Sequence, residues 1–289
     1  MNFQKWQALG NDYVIVEAGD LPFELTPARV QRLCASHTGI GSDGIVLLAR
    51  SERDDLVAEL RIFNPDGSEA GVSGNGAREA ILYLRRQGWT EQSSFAIGTQ
   101  AGVLHAQVTS PTSASVDMGQ ARLASVDYPG GSADGRGELT AGGRRWPFQH
   151  VQVGNPQCSI TMTDQAELDS LDLPAIGPEI ERHALFPNRT NVSWFTVVQP
   201  GLIRARIFER GVGETTASGT GAIGAAVSHV LQGGASPVTV LLEGGELEVT
   251  VSEDLHLRLT GWALPVMRGT VSEELVEELQ DLEVSVAAQ

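Results

Sequence analysis

Cysteine is scarce: the 289 residues hold two, Cys34 and Cys158. So few thiols exclude a disulfide-stapled scaffold and make a reducing compartment the expectation. Neither lies in a C-x-x-C pair or beside clustered histidines, so neither a structural zinc site nor any other metal is expected. Positive charge is also short, with 20 Lys and Arg against 36 Asp and Glu and a formal net charge of −16. That balance disfavours nucleic acid and anionic membranes as partners, and it leaves a small molecule open. Long apolar runs are missing too. A stretch such as VTVLL (Val238–Leu242) is far too short to span a bilayer, and the opening MNFQKWQALGNDY has no apolar core of signal-peptide length. The expectation is a cytoplasmic globular protein. Its length suits one large domain or two ordinary ones.

What the chain does have is an internal repeat, the feature that fixes architecture before any single residue is weighed. RIFNPDGSEAGVSGNGAREA (Arg61–Ala80) aligns without a gap on RIFERGVGETTASGTGAIGA (Arg206–Ala225), 145 positions later. Arg61, Ile62, Phe63, Glu69, Ser73, Gly74, Gly76, Ala77 and Ala80 each meet an identical residue. Three weaker echoes keep the same order. Leu9-Gly10-Asn11 matches Val153-Gly154-Asn155, Phe95–Val108 matches Val238–Val251, and the glycine ending VDMG (Gly119) matches that ending RLTG (Gly261). Two homologous halves follow. Each is expected to run through a short apolar strand (Ala58–Phe63; Leu202–Phe208), a Gly-rich loop and a small-residue helix (Gly76–Arg86; Gly221–Gln232) into alternating strands. Gly88 and Gly233 stand where a left-handed helix cap wants glycine. The Gly- and Ser-rich stretch Pro129–Gly143 reads as an inter-domain loop or surface excursion, and the acidic tail from Ser272 as a solvated terminal helix.

In both copies S-G-x-G separates strand from helix. Glycine there permits close backbone approach, and the unpaired first-turn amides with the helix dipole attract an anion. The plainer reading is that Ser73 and Ser218 simply cap their helices; duplication of the whole strand–loop unit favours a site. Glu209 and Arg210 directly follow the second strand and Asn64 the first. Arg can clamp a carboxylate through two hydrogen bonds. Asn11, Asn64, Asn155 and Asn191 are each ordinary turn formers; as a set they suit a zwitterion. The histidines (His37, His105, His150, His183, His229 and His256) form no sequence cluster.

The blocks LGNDYVIV, HTGIGSDG, FNPDGSE, SGNGAR, GNPQC, RTNVSW, ERGVGET and SGTGA, spread over nearly the whole chain, resemble the diaminopimelate epimerase family, within the wider group that includes proline racemase-like enzymes. The resemblance implies an α/β (α+β) fold of two pseudo-symmetric domains, 1–119 plus 264–289 and 120–263. Each is a curved, mostly antiparallel sheet around a central helix, with the site in the cleft between them. It also implies a pyridoxal-phosphate-independent, cofactor-free isomerase that interconverts LL- and meso-2,6-diaminopimelate for lysine and cell-wall synthesis, and a homodimer. Position by position, Asn64, Asn155, Asn191 and Arg210 match contacts to the distal end of the substrate. Glu209 matches a carboxylate for the α-amino group, and Gly74, Asn75, Gly219 and Thr220 match the cradle of the α-carboxylate. Asn11 completes the binding shell.

The departures fall on the chemistry. Ser73 and Ser218 occupy the places of the family's two acid–base cysteines, Gln157 stands where a histidine is common, and a frequent glutamine near Gly44 is absent. A thiol titrates near ~8.5 and a helix start lowers that into the working range. A serine hydroxyl is a far weaker acid and needs a neighbouring base. Three readings therefore stand: an epimerase using Ser73, Ser218 and Glu209; a related racemase, dehydratase or isomerase acting on another amino acid or dicarboxylate; or a protein that binds the amino acid without catalysis.

Overall fold

The computed structural model describes residues 1–71 and 73–282; Val72 and the last part of the acidic tail, 283–289, lie outside the described residues. In chain order the elements are β1 (Asn2–Ala8), β2 (Asn11–Glu17), α1 (Pro27–Cys34), β3 (Ile45–Ala49), β4 (Ala58–Phe63), β5 (Glu69–Ala70), α2 (Gly74–Arg86), β6 (Ser94–Thr99), β7 (Gly102–Ser110) and β8 (Ser113–Gln120). Then follow β9 (Arg136–Ala141), β10 (Arg144–Val153), β11 (Asn155–Thr161), α3 (Gln165–Asp169), α4 (Leu173–Glu181), β12 (Asn191–Gln199), β13 (Leu202–Glu209), β14 (Gly213–Thr215) and α5 (Gly219–Leu231). The chain closes with β15 (Val238–Leu242), β16 (Gly245–Val251), β17 (His256–Trp262), β18 (Leu264–Thr270) and α6 (Glu273–Asp281). No described helix is long and apolar enough to cross a membrane.

Two compact units result: Met1–Val116 with the segment from Trp262 onward, and Asp117–Gly261. Their strand orders show the repeat directly. Unit 1 runs β18-β1-β2-β3-β4-β6-β7-β8, with β5 beside β4. Unit 2 runs β9-β10-β11-β12-β13-β15-β16-β17, with β14 beside β13. Pairing is antiparallel except at two equivalent places in each unit, β2–β3 and β4–β6 in one, β11–β12 and β13–β15 in the other. A parallel neighbour requires a crossover, and helices supply it. Helix α2 connects β4 to β6, and α5 connects β13 to β15.

These crossover helices are built alike. Ser73 and Ser218 cap them, each accepting the third helical amide (Gly76 N at 3.2 Å, Gly221 N at 3.1 Å). Gly88 (φ +71°) and Gly233 (φ +94°) end them. There the amide of Trp89 returns to Leu84 O and that of Gly234 to His229 O, both at 3.0 Å, which satisfies carbonyls the helix leaves over. Helix α2 packs on β1, β2, β3 and β7, and α5 on β10 to β13, β15 and β16. The approach of α5 is close: a Cβ on Gly224 would lie 2.9 Å from Gln157 Cβ and Ser159 Oγ.

Val14, Val16, Val30, Leu33, Ile45, Phe63 and Leu279 form one core cluster in unit 1. Trp146, Phe148, Phe186, Trp194 and their aliphatic neighbours form one in unit 2. Each such side chain contributes about 1.5–3 kcal/mol when fully buried. The Leu9-Gly10-Asn11 and Val153-Gly154-Asn155 echoes both fall at hairpin tips. Leu9 (φ +57°) and Gly10 (φ +83°) turn β1 into β2, and Gly154 (φ +69°) turns β10 into β11.

One expectation is corrected. Pro129–Gly143 is not an inter-domain loop; it lies wholly inside unit 2, and much of it is strand β9. Its glycines misled because Gly142 and Gly143, both left-handed, form the tight β9–β10 turn. The acidic tail does begin as a helix, α6, capped by Ser272.

Candidate functional site

Asn11 and Tyr13 are two apart on β2, so both side chains leave the same face of the strand. That face meets the start of α2. Asn11 Oδ1 accepts from Asn75 Nδ2 at 3.0 Å, and Tyr13 Oη donates to Ser73 Oγ at 3.2 Å. The amide of Asn11 is fixed at its other end by Asp43 Oδ2, 2.9 Å away. Asn75 Oδ1 accepts from Arg78 Nη2 at 2.6 Å, and Arg78 Nη1 donates to Gly74 O at 2.9 Å. The result is one directed chain, from a carboxylate through two amides to a guanidinium, that braces the first turn of α2. Ser73 Oγ occupies the third helical amide, so Gly74 and Asn75 carry the amides an anion would meet.

In unit 2 the counterpart hydroxyl, Ser218, is almost fully buried and accepts the Gly221 amide at 3.1 Å. Burial raises the pKa of Glu209, at the end of β13, and the nearby Ser218 hydroxyl opposes that only in part. The next residue, Arg210, is exposed and gives Nη1 to Asn188 O at 2.8 Å. Its backbone amide bonds Asn191 Oδ1 at 2.8 Å. The parallel register of β11 and β12 sets Gln157 beside Asn191, and Gln157 Nε2 donates to Asn155 Oδ1 at 2.6 Å. Asn155 and Asn191 thus spend their carbonyl ends internally, so it is their NH₂ ends that can meet a carboxylate. Gly219 and Thr220, half-buried, supply the first amides of α5.

Each unit holds a buried carboxylate, in opposite condition. Glu79 on α2 is fully buried, and neither oxygen has a hydrogen-bond partner among the described residues. Burial pushes its pKa well up against the pull of Arg78, whose own pKa burial lowers to about 10. Glu181, at the end of α4 and 2% exposed, is instead fully engaged. It accepts the Gly211 amide at 2.9 Å and pairs with Arg189, which ties the Glu209–Arg210 turn to the segment before β12.

Of the residues singled out from sequence, unit 1 gathers Asn11, Ser73, Gly74 and Asn75, and unit 2 gathers Asn155, Asn191, Glu209, Arg210, Ser218, Gly219 and Thr220. Asn64 stands apart in the β4–β5 turn, bonded to Ser68 Oγ at 2.9 Å. Tyr13, Asp43, Arg78, Glu181 and Arg189 were not anticipated. The two-residue spacing of Asn11 and Tyr13 was the available signal for Tyr13. Among the histidines His150 is fully buried, with Nε2 2.9 Å from Ser125 Oγ and its pKa lowered by burial. Cys158 is fully buried and its thiol is pushed well up, which removes it from thiolate chemistry.

The sequence profile of the family described as diaminopimelate epimerase matches residues 3–124 and 149–272. The diaminopimelate epimerase of Synechococcus sp. (strain JA-3-3Ab) is 40% identical over 283 residues, which cover 94% of this chain and 99% of that protein. That of Pelotomaculum thermopropionicum is 38% identical over 279 residues, covering 93% and 98%. Among solved structures, a phenazine biosynthesis protein of the PhzF family from Bacillus anthracis superposes with a TM-score of 0.68 at 19% identity, covering 94% of this chain and 99% of that one. A probable proline racemase from Agrobacterium radiobacter K84 does so with a TM-score of 0.68 at 16% identity, covering 94% and 93%. These two show a shared fold.

Proposed function

The chain belongs to the diaminopimelate epimerase family, and on that premise we propose that it is an isomerase interconverting LL- and meso-2,6-diaminopimelate by removal and return of the α-proton. Inverting a stereocentre takes one group that removes the proton and another that returns it. The chain carries two hydroxyls for those tasks, Ser73 in unit 1 and Ser218 in unit 2. Gly74, Asn75, Gly219 and Thr220 are assigned to the α-carboxylate, through helix-start amides. Asn11 joins that shell. Asn64, Asn155, Asn191 and Arg210 are assigned to the distal end, where a second carboxylate suits a guanidinium and amide donors. The reading needs neither a metal nor pyridoxal phosphate, a cytoplasmic setting agrees with the two free, buried cysteines, and a homodimer is the assembly assigned by family.

The observation that carries the reading is the Ser218–Glu209 pair. Serine alone is a poor base, and a carboxylate close enough to take its proton supplies the missing basicity. As Ser218 Oγ takes the α-proton, its own proton passes to Glu209, and the electron pair of the broken C–H bond stays on the α-carbon, delocalised into the α-carboxylate. The raised Glu209 pKa brings this base nearer the working pH, which favours proton transfer. The same carboxylate also serves to orient the α-amino group.

The test is solvent deuterium entering the α-carbon of LL-diaminopimelate, compared with the Ser73→Cys/Ser218→Cys double variant. Exchange by the unaltered chain supports the epimerase reading and eliminates binding without catalysis. Silence in both proteins overturns it. Exchange with amino acids lacking the second carboxylate, at the same rate, would move the assignment to another racemase or isomerase.

A further inference from the structure

Among the described residues, no carboxylate is bonded to Ser73. What it has is a phenol: Tyr13, 5% exposed, with Oη 3.2 Å from Ser73 Oγ. The hydroxyl also receives the Gly76 amide at 3.2 Å. Two donors therefore converge on Ser73 Oγ at a helix start, the arrangement that stabilises negative charge developing on that oxygen. The ring of Tyr13 is held in place by what its neighbours lack. A Cβ on Gly44 would sit 2.6 Å from Tyr13 Cε1, and one on Gly76 would sit 3.5 Å from Cε2. A side chain at position 44 would therefore collide with the ring that reaches Ser73.

We propose that Tyr13 is the proton-holding partner of Ser73, a positioning residue that gives the serine the titratable group its oxygen lacks; the inference rests on the epimerase reading above. In the return step the Ser73 O–H bond breaks as the new Cα–H bond forms from the carbanion pair. The Tyr13 O–H bond breaks in turn, its proton restores the Ser73 hydroxyl, and the charge ends on the phenolate. In the reverse direction the phenolate takes the Ser73 proton as Ser73 takes the α-proton. A phenol ordinarily titrates near ~10, within reach of the thiol it replaces, whereas an alkoxide left on serine alone would be far higher in energy. The charged groups near Tyr13 include Asp12, paired with Lys5 at 3.0 Å, Asp43, which accepts the Asp12 amide at 2.9 Å, and Glu79, whose carboxyl group lies by the Tyr13 backbone.

The deciding experiment measures α-deuterium exchange against pH for the unaltered chain, Tyr13→Phe, Ser73→Cys and the Tyr13→Phe/Ser73→Cys pair. Phenylalanine removes one oxygen and keeps the ring that fills the site. Tyr13→Phe is expected to lower exchange by on the order of 10²-fold and to abolish the fall in rate on the alkaline side. In the Ser73→Cys background, where the thiol carries its own proton, the same change should cost less than about threefold. Exchange that Tyr13→Phe leaves intact overturns the inference while the epimerase reading survives. An equal loss in both backgrounds also overturns it, because that is what a purely structural tyrosine would do. Exchange that appears only after Ser73→Cys overturns the relay and keeps the site. Silence in all four proteins takes down both.

Discussion

The two helix starts come from one duplicated pattern and surround their serines differently. At α5 the hydroxyl has a carboxyl group, Glu209, near it and lies deep in the protein. At α2 it receives a phenol, Tyr13, and is half-exposed. In unit 2 the buried Glu181 is paired and hydrogen-bonded; in unit 1 the buried Glu79 of α2 has no hydrogen-bond partner among the described residues. Strand order, crossover, cap and terminating glycine repeat almost without change. The repeat thus conserves where a hydroxyl is held, while residues outside the repeated motif decide whether it leans toward base or acid.

Glu209→Gln should break the comparison most sharply. Exchange is expected to fall on the order of 10²–10⁴-fold, with circular dichroism unchanged; a loss under about threefold would mean that Ser218 does not depend on it. Because burial raises this carboxyl group and the base must be ionised, the unaltered protein should lose exchange as the pH falls. The midpoint of that loss should lie above the ordinary carboxylate value of 4.5. Next in size is Glu181→Gln. Removing a buried carboxylate that accepts a backbone amide and a guanidinium costs about 1.5–3 kcal/mol, read as a lower urea midpoint, and a change under ~1 kcal/mol would show the turn to be held otherwise. Single thiol substitutions come third. Ser73→Cys should raise exchange by about tenfold and Ser218→Cys by less, since Glu209 already serves the latter; the opposite ranking would reverse the acid and base assignments.

The smallest effect is expected at Glu79. Its pKa is raised in the folded protein by burial, so the stability it contributes is full below about 4.5 and is lost as the pH climbs through the folded value. Glu79→Gln should flatten that slope and stabilise the chain at pH 8 by about 1 kcal/mol. Denaturant melts at pH 5 and pH 8 check it, and unchanged slopes would place a hidden partner on Glu79.

The repeated motif let sequence alone locate both helix starts and the apolar strands that lead into them, Ala58–Phe63 and Leu202–Phe208. Bonds made across distance were not legible. Asp43 reaches Asn11 and Glu181 reaches Gly211 from elements whose placement depends on the whole sheet, and no local periodicity announces them. Tyr13 was within reach, since Asn11 and Tyr13 share a strand face, but an aromatic in an apolar run reads first as core. Asn64 entered the substrate shell through the family pattern alone, and its Nδ2 donates to Ser68 Oγ within the β4–β5 turn. The Pro129–Gly143 stretch misled because glycine marks a tight hairpin as readily as a linker.

The two units also differ in when their edge strands become available. In unit 2 the strand at the edge, β9, immediately precedes the β10 it pairs with. In unit 1 the equivalent partner of β1 is β18, more than 250 residues downstream (Asn2 opposite Thr270), and Arg29 adds a buried tie from α1 to Leu279 O at 2.6 Å. On the ribosome, unit 2 can therefore close as soon as it emerges. Strand β1 must keep one edge unpaired until β18 has been made, and that interval is when the nascent chain is most exposed to mispairing.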